Sequence, residues 1–76
     1  MSRVAIVTGG TRGIGAAIAK ALKGIGYTVA ANYAKNHAMA EEFTVETGIS
    51  TYSWDVARYG DCVDGVARVE KELGPV

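Results

Sequence analysis

Apolar and polar positions along this chain follow two alternating periods, and each change of period marks a new element. Residues 3–8 (Arg-Val-Ala-Ile-Val-Thr) are a nearly unbroken β-branched run, the pattern of a strand covered on both faces. From Ile14 the period lengthens. Ile14, Ile18, Leu22 and Ile25 recur at spacings of four, four and three, which predicts a helix over about 14–25 with one apolar stripe against a sheet. Gly24 and Gly26 are its candidate stops. Residues 27–33 read as a second strand. A second helix is predicted over 37–47, with Met39, Phe43 and Thr47 on one face and Gly48 closing it. Residues 49–54 alternate as a third strand that ends at Asp55 and Val56. A last helix, about 60–73, sets Val63, Val66, Val69 and Leu73 on one stripe and stops at Gly74-Pro75.

The order is therefore β-α-β-α-β-α. Short connections between strands and helices imply right-handed crossovers and a parallel sheet. The predicted fold class is α/β, the first half of a doubly wound sheet, in one partial domain over residues 1–76. No strand follows the last helix, so an incomplete fold is expected, with the first strand an open edge and an apolar face left bare. Poor independent stability follows from that expectation.

Composition narrows the partners. With 49% hydrophobic and 21% charged residues, the chain is globular in character, not disordered. A formal net charge of zero gives no electrostatic footprint for nucleic acid or an acidic membrane. No apolar run approaches the roughly 20 residues of a membrane span. The polar Thr8–Arg12 stretch interrupts the first apolar run too early for a secretory signal. The single Cys62 cannot form an internal disulfide or a thiolate metal cluster. A reduced, cytoplasmic setting without a metal site is the expectation.

The stretch between the first strand and the first helix carries the chemistry. Gly9, Gly13 and Gly15 punctuate Thr8-Gly9-Gly10-Thr11-Arg12-Gly13-Ile14-Gly15. Gly9 allows a tight exit from the strand, Gly13 lets the backbone approach a ligand, and Gly15 lets helix and strand pack closely. The helix N-terminus behind them offers free N–H groups and a positive dipole end to phosphate. The spacing differs from G-x-G-x-x-G, and no Lys-Ser/Thr follows to make a P-loop. A turn whose glycines serve only packing is the alternative, and the strand–loop–helix–strand context disfavours it.

Where NAD-preferring domains carry an acidic residue at the end of the second strand, this chain has Asn32 and Tyr33. A carboxylate would repel a 2′-phosphate, whereas an amide can donate to it, and Arg12 can add a charge-assisted contact. Both point to NADP over NAD. Lys35 is a weaker phosphate candidate and otherwise a loop charge. Asp55 closes the third strand on the sheet edge where ligands bind, so it can accept from an adenine amino group, with the Val56 N–H beside the ring. Its alternative is capping of the helix that follows. Trp54 reads as core packing, His37 as a solvated helix start, Cys62 as a packed thiol, and the glutamates as solvated faces.

These residues resemble the N-terminal part of a classical short-chain dehydrogenase/reductase, through the Thr8–Gly15 motif, Asn32-Tyr33 and Asp55-Val56. Thr47-Gly48-Ile49, Tyr52–Val56 and Val69–Val76 are similar to the acetoacetyl-CoA reductase subgroup of polyhydroxyalkanoate synthesis. The 3-oxoacyl-acyl-carrier-protein reductases are the near alternative. The resemblance implies a Rossmann sheet and a cofactor site formed from Gly9, Thr11, Arg12, Gly13, Ile14, Gly15, Asn32, Tyr33, Asp55 and Val56. It also implies an acyl-thioester substrate and a homotetramer built through later helices. The family's catalytic Ser and Tyr-x-x-x-Lys are absent, because none of Tyr27, Tyr33, Tyr52 and Tyr59 has Lys four residues on. A non-catalytic nucleotide-binding module, or a short-chain reductase for a sugar or steroid, remains open at this stage.

Overall fold

The computed structural model describes residues 3–9, 11 and 13–76. Strands β1 (Arg3–Thr8), β2 (Tyr27–Tyr33) and β3 (Ser50–Ser53) alternate with helices α1 (Gly13–Gly24), α2 (His37–Thr47) and α3 (Tyr59–Leu73). The strands are parallel in the order β1-β2-β3. Thr8 lies beside Asn32, and Asn32 beside Tyr52, so all three strands end along one edge. The element order and the parallel sheet match the pattern read from sequence. β3 is a residue shorter at each end than expected, although the Trp54 amide still bonds to the Tyr33 carbonyl at 3.1 Å.

Strand alternation divides the core in two. Val7, Val29 and Ala31 turn to one face, where Ala19 of α1 and Phe43 of α2 cover them. Val4 and Ala30 turn to the other, with Tyr52, Trp54 and Val69 of α3. Helices α1 and α2 thus share a face, and α3 lies opposite. Right-handed crossovers from β1 to β2 and from β2 to β3, both running the same way across the sheet, put α1 and α2 on one face. The far end of α3 comes back to β1, for a Cβ on Gly74 would stand 3.8 Å from Val4 Cγ2.

Two helix stripes need correction. On α1 the expected stripe of Ile14, Ile18, Leu22 and Ile25 is mostly exposed, with Ile14 at 81% and Ile25 at 74%. The face against the sheet is Ala16, Ala19 and Leu22. Small side chains let the helix axis come close to the strands, and longer isoleucines would hold it away. On α3, Val69 is fully buried, but Val63 is 49% exposed and buried Gly65 takes its place against Trp54. Both glycine stops of α2 and α3 hold: Gly48 is left-handed with its N–H to Thr44 O at 2.7 Å, and the Gly74 N–H reaches Glu70 O at 3.0 Å. After α1, positive φ falls on Gly26, not on Gly24.

At the β3–α3 seam, the Tyr52 hydroxyl donates to Glu72 Oε1 at 2.8 Å, and the Arg68 guanidinium sits 5.5 Å from the ring centroid. Burial first, then the Glu72 contact, pushes the Tyr52 hydroxyl up to about 12 from 10. A raised phenol contributes stability that is complete below its unfolded value and is lost as pH rises from 10 through 12. Tyr52→Phe is expected to remove that alkaline dependence and to cost about 1 kcal/mol at neutral pH. Urea unfolding at neutral and alkaline pH checks both; an unchanged alkaline slope would contradict the assignment.

Candidate functional site

Chain direction alone gathers the candidate residues, because parallel strands bring every strand-to-helix loop to the same edge of the sheet. Gly9 leaves β1 at φ 64° and Gly13 opens α1 at φ 60°. Among the described residues, nothing lies within 4 Å of a Cβ built on either, and the left-handed backbone itself requires glycine there. The open space over the two glycines is what a backbone cradle for phosphate needs. Arg12 lies outside the described residues.

A cleft of about 320 Å³ opens between this loop and the β2–α2 connection, lined by Gly9, Thr11, Tyr33, Ala34, Lys35, Asn36 and Met39. It brings together three of the sequence candidates, Gly9, Thr11 and Tyr33, with Lys35 beside them. Gly13, Ile14 and Gly15 form the first turn of α1, and the Ile14 side chain points into solvent. A larger concavity, of about 1050 Å³, runs along α2 and Thr51, is walled by Glu41, Glu42 and Glu46, and shares no lining residue with this cleft.

Asn32 departs from its expected role. Its side chain is 3% exposed, and Nδ2 donates to the Trp54 carbonyl at 3.1 Å. Strand parity is the reason: Ala30 faces α3, so Asn32, two residues on, faces α3 as well. The amide donor expected to meet a 2′-phosphate is therefore held inside the fold, where it ties β2 to the end of β3. Tyr33, one residue later, points to the opposite face and reaches the cleft.

Asp55 and Val56 follow β3 and stand outside the cleft lining. Both are exposed. Asp55 Oδ1 accepts from the Ala57 N–H at 2.9 Å, and its carbonyl accepts from the Arg58 N–H at 3.0 Å. The carboxylate organises the turn before α3, not the helix itself, whose N-cap is Arg58. Trp54 is core packing, as read from sequence. Cys62 is half-buried, with Sγ 3.3 Å from the Val56 carbonyl.

Asn36 is a lining residue that the sequence reading passed over. It is the N-cap of α2, with Oδ1 accepting from the Met39 N–H at 3.0 Å. The signal was present, since Asn just before a helical pattern is a preferred N-cap. His37 is exposed, yet its Nδ1 lies 2.8 Å from the Tyr33 hydroxyl. Among the described residues, no group of three or more His, Cys, Asp or Glu could hold a metal ion, and no helix is long and apolar enough to cross a membrane.

Fold and loop geometry together define a partial Rossmann-like α/β unit, with a glycine turn where its first strand meets its first helix. The short chain dehydrogenase profile matches residues 3–76, and the chain belongs to that family. It is 66% identical over its whole length to an acetoacetyl-CoA reductase of Rhizobium meliloti (strain 1021), covering 32% of that protein. To an acetoacetyl-CoA reductase of Paracoccus denitrificans it is 64% identical, again over its whole length and 31% of the relative. Among solved structures, a variant of actinorhodin polyketide ketoreductase with NADPH superimposes with a TM-score of 0.86 at 32% identity, over 99% of this chain and 30% of that one. The chain thus spans about a third of the length of the relatives it matches.

Proposed function

We propose that this chain is the adenine-side part of an NADPH-dependent acetoacetyl-CoA reductase. The enzyme reduces a 3-oxoacyl thioester to the 3-hydroxyacyl thioester of polyhydroxyalkanoate synthesis, in the cytoplasm and as a homotetramer. The observation that carries the reading is the 66% identity, without a break in coverage, to a protein of that activity.

The residues present fit a dinucleotide. Gly9 and Gly13 hold the backbone in left-handed turns with open space above them, and α1 starts immediately behind. The first-turn N–H groups of α1, from Gly13 through Gly15, are the donors for the pyrophosphate. Thr11, Tyr33, Lys35 and Asn36 ring the cleft that takes the adenosine ribose and its 2′-phosphate, with Arg12 as a further cation in the same loop. Val56 and Asp55 border the adenine. When bound, the cofactor supplies the hydride that reduces the ketone. The contribution of this chain is to hold and orient it.

The test is a rate comparison on the purified full-length protein. Acetoacetyl-CoA is expected to be reduced with NADPH about tenfold or more faster than with NADH, the worth of one charge-assisted phosphate contact. Equal rates with the two cofactors would overturn the NADP assignment. A preference for the acyl-carrier-protein thioester over the CoA thioester would overturn the substrate assignment.

A further inference from the structure

Among the described residues β3 is an edge strand, because the sheet runs in the order β1-β2-β3. The Trp54 N–H bonds to the Tyr33 carbonyl, so by alternation Ser50 and Tyr52 also turn their backbone groups toward β2. Thr51 and Ser53 turn theirs outward. Side chains occupy part of that outer edge. Thr44 Oγ1 donates to the Ile49 carbonyl at 3.0 Å, and Arg68 Nη2 donates to the Ser53 carbonyl at 3.5 Å. The Thr51 N–H, the Thr51 carbonyl and the Ser53 N–H have no such partner among the described residues.

Both flanks of this edge are hollowed and acidic. On the α2 side, the concavity of about 1050 Å³ has Glu41, Glu42 and Glu46 on its wall, with Val45 87% exposed beside them. On the α3 side, a hollow of about 360 Å³ holds Asp61 and Asp64 next to Ser53 and Trp54. Arg68 lines that same hollow, and Arg58 pairs with Asp61 at 3.8 Å. Those two arginines do not balance the three glutamates and two aspartates.

We propose that the outer edge of β3 docks an extended, lysine- or arginine-rich segment of another protein, which joins the sheet as a further strand. Backbone bonds to Thr51 and Ser53 set its register. Its side chains fall alternately toward α2 and toward α3, so basic residues meet carboxylates on both sides, and an apolar residue covers Val45. A second copy of this chain fits poorly, because pairing β3 with β3 would bring two acidic rims together. The end of α3 lies elsewhere: Gly74 stands beside Val4 of β1, at the opposite side of the sheet from this edge. The proposal is independent of which cofactor the enzyme takes.

Binding of an acetylated and amidated hexapeptide, Lys-Val-Lys-Lys-Val-Lys, to the full-length protein tests it. Exchanging every lysine of the peptide for glutamate is expected to weaken binding about tenfold or more, the scale of a few exposed ion pairs. N-methylation of its four central residues keeps the charge, removes the N–H donors, and is expected to weaken binding about tenfold. Glu41→Gln, Glu42→Gln and Glu46→Gln together are expected to weaken it about fivefold and to leave the reductase rate unchanged. All three side chains are exposed, so this variant folds, and its melting temperature confirms that. Equal binding of the N-methylated peptide would mean attraction by charge alone and would overturn the role of the edge. Equal binding of the glutamate peptide would overturn the choice of partner. No binding of the lysine peptide, as when another segment of the full-length chain or a second copy already covers β3, would overturn the proposal outright.

Discussion

Asn32→Asp is expected to destabilise the full-length protein more strongly the higher the pH, and not to convert it to NADH. The exchange puts an acid where NAD-preferring relatives of the fold carry one, and sequence logic alone would expect altered cofactor choice. The structure directs the outcome elsewhere. Asn32 is 3% exposed, and its Nδ2 donates to the Trp54 carbonyl. An ionised carboxylate there would face a carbonyl oxygen with no donor between them, in a buried position.

Protonated, the same carboxyl can donate to Trp54 O and replace the amide. Its folded pKa is therefore raised above the unfolded value of about 3.9, so the folded state binds the proton more tightly. Stability is near wild type at and below the unfolded value and falls as pH rises through the interval between the two pKa values. A loss of about 2–4 kcal/mol is expected near pH 8, and a much smaller one near pH 5. Urea unfolding at the two pH values measures it. Full stability near pH 8 together with faster turnover on NADH would show that the side chain faces the ligand.

Gly65→Ala is the second large effect. A Cβ on Gly65 would overlap the Cδ2 and Cε3 atoms of the Trp54 ring. The indole packs in one buried cluster with Val4, Ala30, Tyr52 and Val69, so moving it disturbs their contacts. Relief comes from a shift of the indole or a lift of α3, and a lift opens the contacts of fully buried Val69 and of Leu73. Overpacking costs about 1–3 kcal/mol, and a lifted helix loses burial in addition. The better helix propensity of alanine returns about 1 kcal/mol. A net loss of about 2–3 kcal/mol is expected, with a changed near-ultraviolet signal from Trp54. Gly60→Ala is the control, since nothing lies within 4 Å of a Cβ on Gly60 in the same helix. Equal melting temperatures for the two variants would show that the contact with Trp54 is not tight.

Much of this architecture was legible in the sequence because period and punctuation carry it. The runs 3–8 and 27–33 give β1 and β2 to the residue, and α2 matches its predicted span of 37–47. The helix faces were less legible. Periodicity favours the largest apolar side chains, so Ile14, Ile18 and Ile25 outweigh Ala16 and Ala19, yet the sheet accepts the small ones. Gly65 carries no hydrophobic signal at all, and its importance exists only through Trp54, eleven residues away in the chain. The glycine loop could be read because positive φ at Gly9 and Gly13 is a demand on residue type. The direction of the Asn32 amide could not be read from residue type, since it depends on which face of β2 each position takes.

That alternation also separates two kinds of change. Asn32 and Tyr33 are consecutive, yet one is sealed under α3 and the other borders the cleft. If the cleft holds the cofactor as proposed, substitutions from Tyr33 to Met39 along the rim would retune which nucleotide is accepted while the interior stays as it is. On that reading a lineage would drift between cofactors through the rim, while the neighbouring Asn32 is held by the demands of folding.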